Sequence, residues 1–251
     1  MLFDLQGPRK TFVKVIYLGL ALLLGGGLVL FGIGSDVNGG LADIFGSKSS
    51  LSQAQDNVEK YEKQVAANPK SKTALETLIA ARYTLAADEA NFNKDKNTFS
   101  KEGEAALKQL TKDWNTYLKL VDNKPSLATA NYAVSAYLGL NDAKGATKAQ
   151  EILTKAQPNA ANYLALMLYA SYAGDTLIAS GAEVRAKELA TKDEKQAVAD
   201  QIKEIKEQMK ERSAEIQQQI QEQFKQQAQQ SQTGGTPTSP FGGAAAPSTT
   251  K

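Results

Sequence analysis

Apolar positions along this chain follow two different rhythms. From Val15 to Ile33 they run on without a single charged residue, and from Leu51 onward they recur every three or four positions. Nineteen residues at 1.5 Å each reach about 28 Å, close to the ~30 Å hydrocarbon core of a bilayer. A core helix of a soluble domain keeps one polar face, and 15–33 has none. A cleavable signal has a shorter apolar stretch, about 7–15 residues, and a small-residue cleavage site after it. The sequence that follows, S-D-V-N-G-G-L-A-D-I-F-G, has no good site of that kind. The first rhythm predicts an uncleaved transmembrane helix over 15–33.

The second rhythm is helical nearly throughout 51–191, with no alternating strand signal. Polar, Gly or Pro breaks at 68–71, 91–97, 122–126, 140–145, 157–159 and 173–175 divide it. The helices expected are 51–67, 72–89, 98–121, 126–139, 142–156, 159–173 and 176–190. T-K-D-E at 191–194 has capping-box spacing and opens a long Gln-rich helix over 192–230. Its apolar residues Val198, Ile202, Ile205 and Met209 step 4-3-4, and Ile216, Ile220 and Phe224 step by four. Arg212 and Gln219 interrupt a strict heptad. Two readings of this helix stand: its first half caps the repeats while the rest meets solvent, or it forms a coiled coil. Residues 34–50 read as a flexible linker, and 231–251, rich in Gly, Pro, Ser and Thr, as disordered.

Charge sets the orientation. Arg9, Lys10 and Lys14 precede the apolar run, while Asp36 and Asp43 follow it. Basic flanks stay cytoplasmic, which puts segment 1–14 in the cytoplasm and everything after about residue 35 outside. Localisation is thus expected to be the cell membrane, single-pass, with the bilayer itself as the first partner. Gly25, Gly26 and Gly27 interrupt the run, and each would cost ~1 kcal/mol in a water-exposed helix. In lipid the helix persists, because its backbone has no water to bond. With Gly19 and Ala21 they form a small-residue surface on which a second transmembrane helix can pack. Neutral use of glycine within a span is the other reading.

Composition then removes function classes. There is no cysteine and no histidine, so thiolate zinc sites, Cys nucleophiles and the commonest general base are absent. Net charge is +2 with no basic patch, which argues against nucleic acid as a partner. No Walker A, G-x-S-x-G or EF-hand pattern occurs, and the S-x-x-K at Ser248–Lys251 lies in the tail. No catalytic site, cofactor or metal is expected, and an enzyme is disfavoured. No N-x-[ST] sequon occurs either, which leans toward a bacterial envelope protein.

Internal repetition carries the positive reading. Pro69, Pro125 and Pro158 each follow an expected helix, and the last two lie 33 residues apart, one helix–turn–helix period. Ala/Leu/Tyr-rich helices follow them: A-L-E-T-L-I-A-A-R-Y-T-L-A, A-N-Y-A-V-S-A-Y-L-G-L and A-N-Y-L-A-L-M-L-Y-A-S-Y-A-G-D. Over 52–191 the chain resembles the tetratricopeptide-repeat (TPR) family. In the best-matching hairpin Leu164, Met167 and Leu168 take packing positions, and Gly174–Asp175 the turn. Ala146, Leu153 and Pro158 fit the family's second helix. Asn131 and Ser135 stand where the family has Trp and Gly, and the first repeat carries an insertion.

The resemblance implies an all-α chain: a transmembrane helix, a short TPR-like α-solenoid over 51–191 and a long C-terminal helix. It also implies a groove for a protein or peptide segment, lined by outward positions of each hairpin's first helix. By register these are Thr73, Glu76, Tyr83, Thr129, Tyr132, Asn162, Tyr169 and Tyr172, and packing between hairpins is the competing role for the later tyrosines. The layout is similar to that of bacterial single-pass TPR proteins associated with protein export. The expected function is a membrane-anchored interaction scaffold. The alternative is a structural tether that self-associates through the C-terminal helix.

Overall fold

The computed structural model describes residues 51–233, with side chains up to 225. The span expected at 15–33, its flanking determinants Arg9, Lys10 and Lys14, and the glycines at 19 and 25–27 with Ala21 lie outside the described residues. So does the tail from 234. Among the described residues no helix is long and apolar enough to cross a membrane.

Eight helices make up nearly all of the described chain. They are α1 (Leu51–Ala67), α2 (Lys72–Ala87), α3 (Lys101–Leu120), α4 (Leu127–Gly139), α5 (Ala143–Ala156), α6 (Ala160–Ala173), α7 (Thr176–Leu189) and α8 (Lys195–Thr233). Six of them start on a side-chain cap. Ser71, Ser100, Ser126, Asp142, Asn159 and Asp175 each accept a hydrogen bond from the backbone N–H three residues on. Such a cap contributes about 1 kcal/mol and fixes where the helix begins. The T-K-D-E box closes as its spacing predicts: Glu194 accepts from the Thr191 amide at 2.9 Å and from its hydroxyl at 2.8 Å.

The described chain divides into two compact units, residues 51–209 and 210–233. In the first, α2 with α3, α4 with α5 and α6 with α7 form consecutive hairpins, each packed on the next. Beyond chain neighbours, α2 also packs on α4. This succession of hairpins fits an α-solenoid, in which each unit covers a face that its neighbour cannot bury alone. Small residues set the helix spacing: Ala130, Ala133 and Ala136 on α4, Ala146 and Ala149 on α5, Ala182 and Ala186 on α7 are all buried. The bulk between them comes from Leu107, Leu110, Trp114, Leu164 and Leu168.

α1 attaches through a separate small cluster, Val58 with Leu78 and Ala81 of α2. Arg82 ties the three leading helices together. Its Nη2 donates to Glu62 of α1 at 2.8 Å, and its Nε to Asp113 of α3 at 2.6 Å.

Between α2 and α3 the expected break at 91–97 holds a short strand pair, and the helical expectation fails only at 88–89 and 98–100. β1 (Phe92–Asn93) and β2 (Thr98–Phe99) pair antiparallel, Phe92 opposite Phe99. Helix α3 therefore starts at Lys101, three residues later than the periodicity predicts. Asn97 adopts a left-handed conformation, φ 49°, which a helix beginning at 98 would not need. The hairpin is fixed from inside: Asn91 donates to the Leu85 carbonyl at 2.8 Å and accepts from Ser100 Oγ at 2.9 Å. Phe99 reaches both neighbouring helices through glycines. A Cβ on Gly103 would stand 3.3 Å from its ring and one on Gly139 2.8 Å.

Candidate functional site

The eight positions expected to line a groove fall into three settings. The first is a polar chain where α2, α3 and α4 meet. Tyr117 of α3 donates its hydroxyl to Glu76 of α2 in a short hydrogen bond, and accepts from the Ser126 amide at 3.2 Å. Ser126 Oγ lies 2.7 Å from Thr129 Oγ1. Glu76 and Thr129 are thus brought together, but as structural partners. Thr129 is buried, and Glu76 spends one carboxylate oxygen on Tyr117.

A second setting lies on the first helices of successive hairpins. Tyr83 of α2 and Tyr132 of α4 pack ring to ring, centroids 5.0 Å apart and planes 38° apart. Both are half-buried, so part of each residue is accessible. Burial pushes the Tyr83 hydroxyl above its ordinary 10.0, and a hydrogen bond with Ser135 partly offsets this. Tyr132 is raised by burial and then by Tyr83. Both are neutral phenols at any physiological pH, offering apolar area with a donor and an acceptor. Thr73, on the first turn of α2, is exposed.

The third setting is the interior. Tyr169 is 1% exposed, and Asn162 is buried. Asn162 Nδ2 donates to the Gln157 carbonyl at 2.7 Å, while its own carbonyl accepts from Gln150 at 3.1 Å. These two positions do not face outward. The reason is local: α6 packs on both α5 and α7, and every residue from Leu164 to Ala170 is buried. Tyr172 is half-buried near the end of α6.

Register alone therefore assembles one outward feature, Tyr83 with Tyr132, and misses the residues that hold it. Ser135 carries a readable signal, since it follows Tyr132 by three residues and so shares its helix face. Tyr117 stands eight residues before Pro125, as Tyr61 does before Pro69, but its bonds to Glu76 and Ser126 belong to the polar chain and lie outside its own helix. Among the described residues no group of three or more His, Cys, Asp and Glu could hold a metal ion.

No protein-family model matches the chain, and neither curated proteins nor solved structures show a significant match to it.

Proposed function

We propose that this chain is a membrane-anchored interaction scaffold whose TPR-like region, 51–191, holds a protein or peptide segment outside the cytoplasmic membrane. The observation that carries the reading is the Tyr83–Tyr132 pair. It spans two successive hairpins, is only half-buried and has a hydroxyl on each side chain. Aromatic residues of this kind concentrate binding energy at protein contacts. Succession of hairpins supports the solenoid, and the proline spacing supports the family likeness. The uncharged run at 15–33 with basic residues before it supports the anchor and its orientation. Anchoring confines the module to the membrane plane, where raised effective concentration lets a weak contact act.

A photo-crosslinking residue at Tyr132 of the full chain, in its own cells, tests the reading. Capture of export-machinery subunits or secreted chains is expected. Capture of cytoplasmic proteins alone would overturn it. Orientation has an independent check, because the chain is free of cysteine and Leu177 is 83% exposed. Leu177→Cys is expected to react with a membrane-impermeant maleimide in spheroplasts. Labelling only after lysis reverses the topology.

A further inference from the structure

No run of basic residues marks the sequence, yet the fold gathers lysines from two helices onto one side. On α3, Lys108, Lys112 and Lys119 lie within about 40° of one another around the helix. They sit opposite the buried side chains of Leu110 and Tyr117. On α5, Lys144, Lys148 and Lys155 repeat the pattern 36 residues later, opposite buried Ala146 and Leu153. All six are exposed, and among the described residues only Lys108 of the six has a carboxylate within ion-pair distance, Glu104 at 3.2 Å. Glu151 interrupts the second row, and Asp113, beside the first, is turned to Arg82.

The two rows are neighbours. Tyr137 of α4 stands between them, its hydroxyl a hydrogen-bonding partner of Asn115, one turn from both Lys112 and Lys119. Its ring lies against Gly145, where a Cβ would come within 2.2 Å of it. Gly145 is next to Lys144 and one turn before Lys148.

We propose that the two rows dock the outer side of α3 and α5 on an anionic bilayer surface. The proposal rests on the reading of 15–33 as a span, because that places a bilayer beside the solenoid. Residues 34–50 can stretch at most about 60 Å, so α1 never leaves that neighbourhood. A lysine within a Debye length of anionic headgroups, about 10 Å at 0.1 M salt, is drawn to them, and the attraction adds along a row.

Three features favour lipid over a protein or a nucleic acid. Lysine is a compact point charge that needs no fixed geometry, which suits mobile headgroups. Neither α3 nor α5 exposes a large apolar side chain or carries an arginine. Protein contacts draw most of their energy from aromatic and arginine anchors. The tether, finally, gives the bilayer a raised local concentration that a free nucleic acid lacks. Docked in this way, α2 and α4 lie behind α3 and α5, and the Tyr83–Tyr132 pair stays off the lipid-facing side.

The chain's single tryptophan, Trp114, reports the contact without labelling, since it lies on α3. The full chain would be reconstituted into vesicles of phosphatidylcholine, alone or mixed with phosphatidylglycerol, each carrying a dansyl headgroup lipid. Energy transfer from Trp114 is expected to be at least about twofold greater in the anionic vesicles, and to fall to the neutral value in high salt. Lys119→Glu with Lys148→Glu should abolish the difference at unchanged helix content. Lys70→Glu with Lys192→Glu makes the same change of charge at exposed positions outside the rows and should leave it intact. Equal transfer in the two lipids overturns the proposal, as does equal loss in both double variants. So does duplex DNA that binds the rows where lipid composition has no effect. Alkaline extraction separates this failure from failure of the anchor. A chain stripped from the vesicles has no span, whereas a retained chain with lipid-independent transfer keeps the anchor and loses only the docking.

Discussion

Tyr169 carries a hydroxyl, fully buried, that bonds to nothing. Burial alone drives its ionisation far above the ordinary 10.0, because no neighbour stabilises the phenolate. An unmade hydrogen bond in the interior costs about 1–3 kcal/mol, so Tyr169→Phe is expected to raise stability by about 1 kcal/mol. Urea unfolding would show a higher midpoint at unchanged slope. Tyr117→Phe has the opposite sign, since it strips Glu76 and the Ser126 amide of a partner. A loss of about 1–2 kcal/mol is expected in the same assay. Arg82 is the costlier position. Burial holds the Asp113 carboxyl above its ordinary 3.8 even with Arg82 bonded to it. Arg82→Ala leaves that half-buried group without its guanidinium partner, at a cost of about 2 kcal/mol. Site residues were legible only where a helix has an evident outer face. Register puts Tyr83 and Tyr132 at positions that are half-buried. Asn162 and Tyr169 are misread, because the apolar run along α6 leaves no polar side to orient it.

Helix starts were readable to within a residue beside Ser71, Ser126, Asn159 and Asp175, while α3 and α8 begin three residues later than expected. The strand pair was not. Its two residues a side are too few for alternation to register, and its anchor, Asn91, bonds to Leu85 and Ser100. A Cβ on Gly103 would come within 2.8 Å of the Asn91 backbone oxygen. Gly103→Ala should therefore lose stability despite the better helix propensity of alanine, about 1 kcal/mol in an exposed helix. Thermal denaturation reads the sign directly. α7 and α8 are joined by Glu183, which accepts from Lys187 at 2.7 Å and Lys206 at 2.8 Å. Burial pushes its carboxyl up, but those two lysines together hold it below its ordinary 4.5. The native state therefore favours the ionised form. The stability this contributes is present above the unfolded value and lost as pH falls through the lower folded one. Between pH 5 and pH 3 the wild type is expected to lose more stability than Glu183→Gln, as parallel urea titrations would show.

At the scale of the molecule, repetition was legible because it depends on composition at intervals: a proline, a cap, then an Ala/Leu/Tyr helix. Which helices touch beyond their chain neighbours was not legible. The α2–α4 contact, which brings Tyr83 to Tyr132, arises only when hairpins stack. The same stacking leaves the leading helix weakly held. α1 buries only Ala54 and Val58 among its 17 residues, and beyond its small cluster with Leu78 and Ala81 it meets the main core through half-buried Val65. Under tension that arrangement acts as a mechanical fuse. Force applied between residue 51 and the last hairpin reaches α1 first and peels it turn by turn. The Glu62–Arg82 bond breaks, while Arg82 keeps Asp113. Releasing 17 residues from helix to extended chain lengthens the molecule by about 35 Å. An optical-trap record should show that short step at low force, well before the hairpins yield. A load arriving from the N-terminal side would then be absorbed by one sacrificial helix, and the Tyr83–Tyr132 face would keep its shape while it stretches.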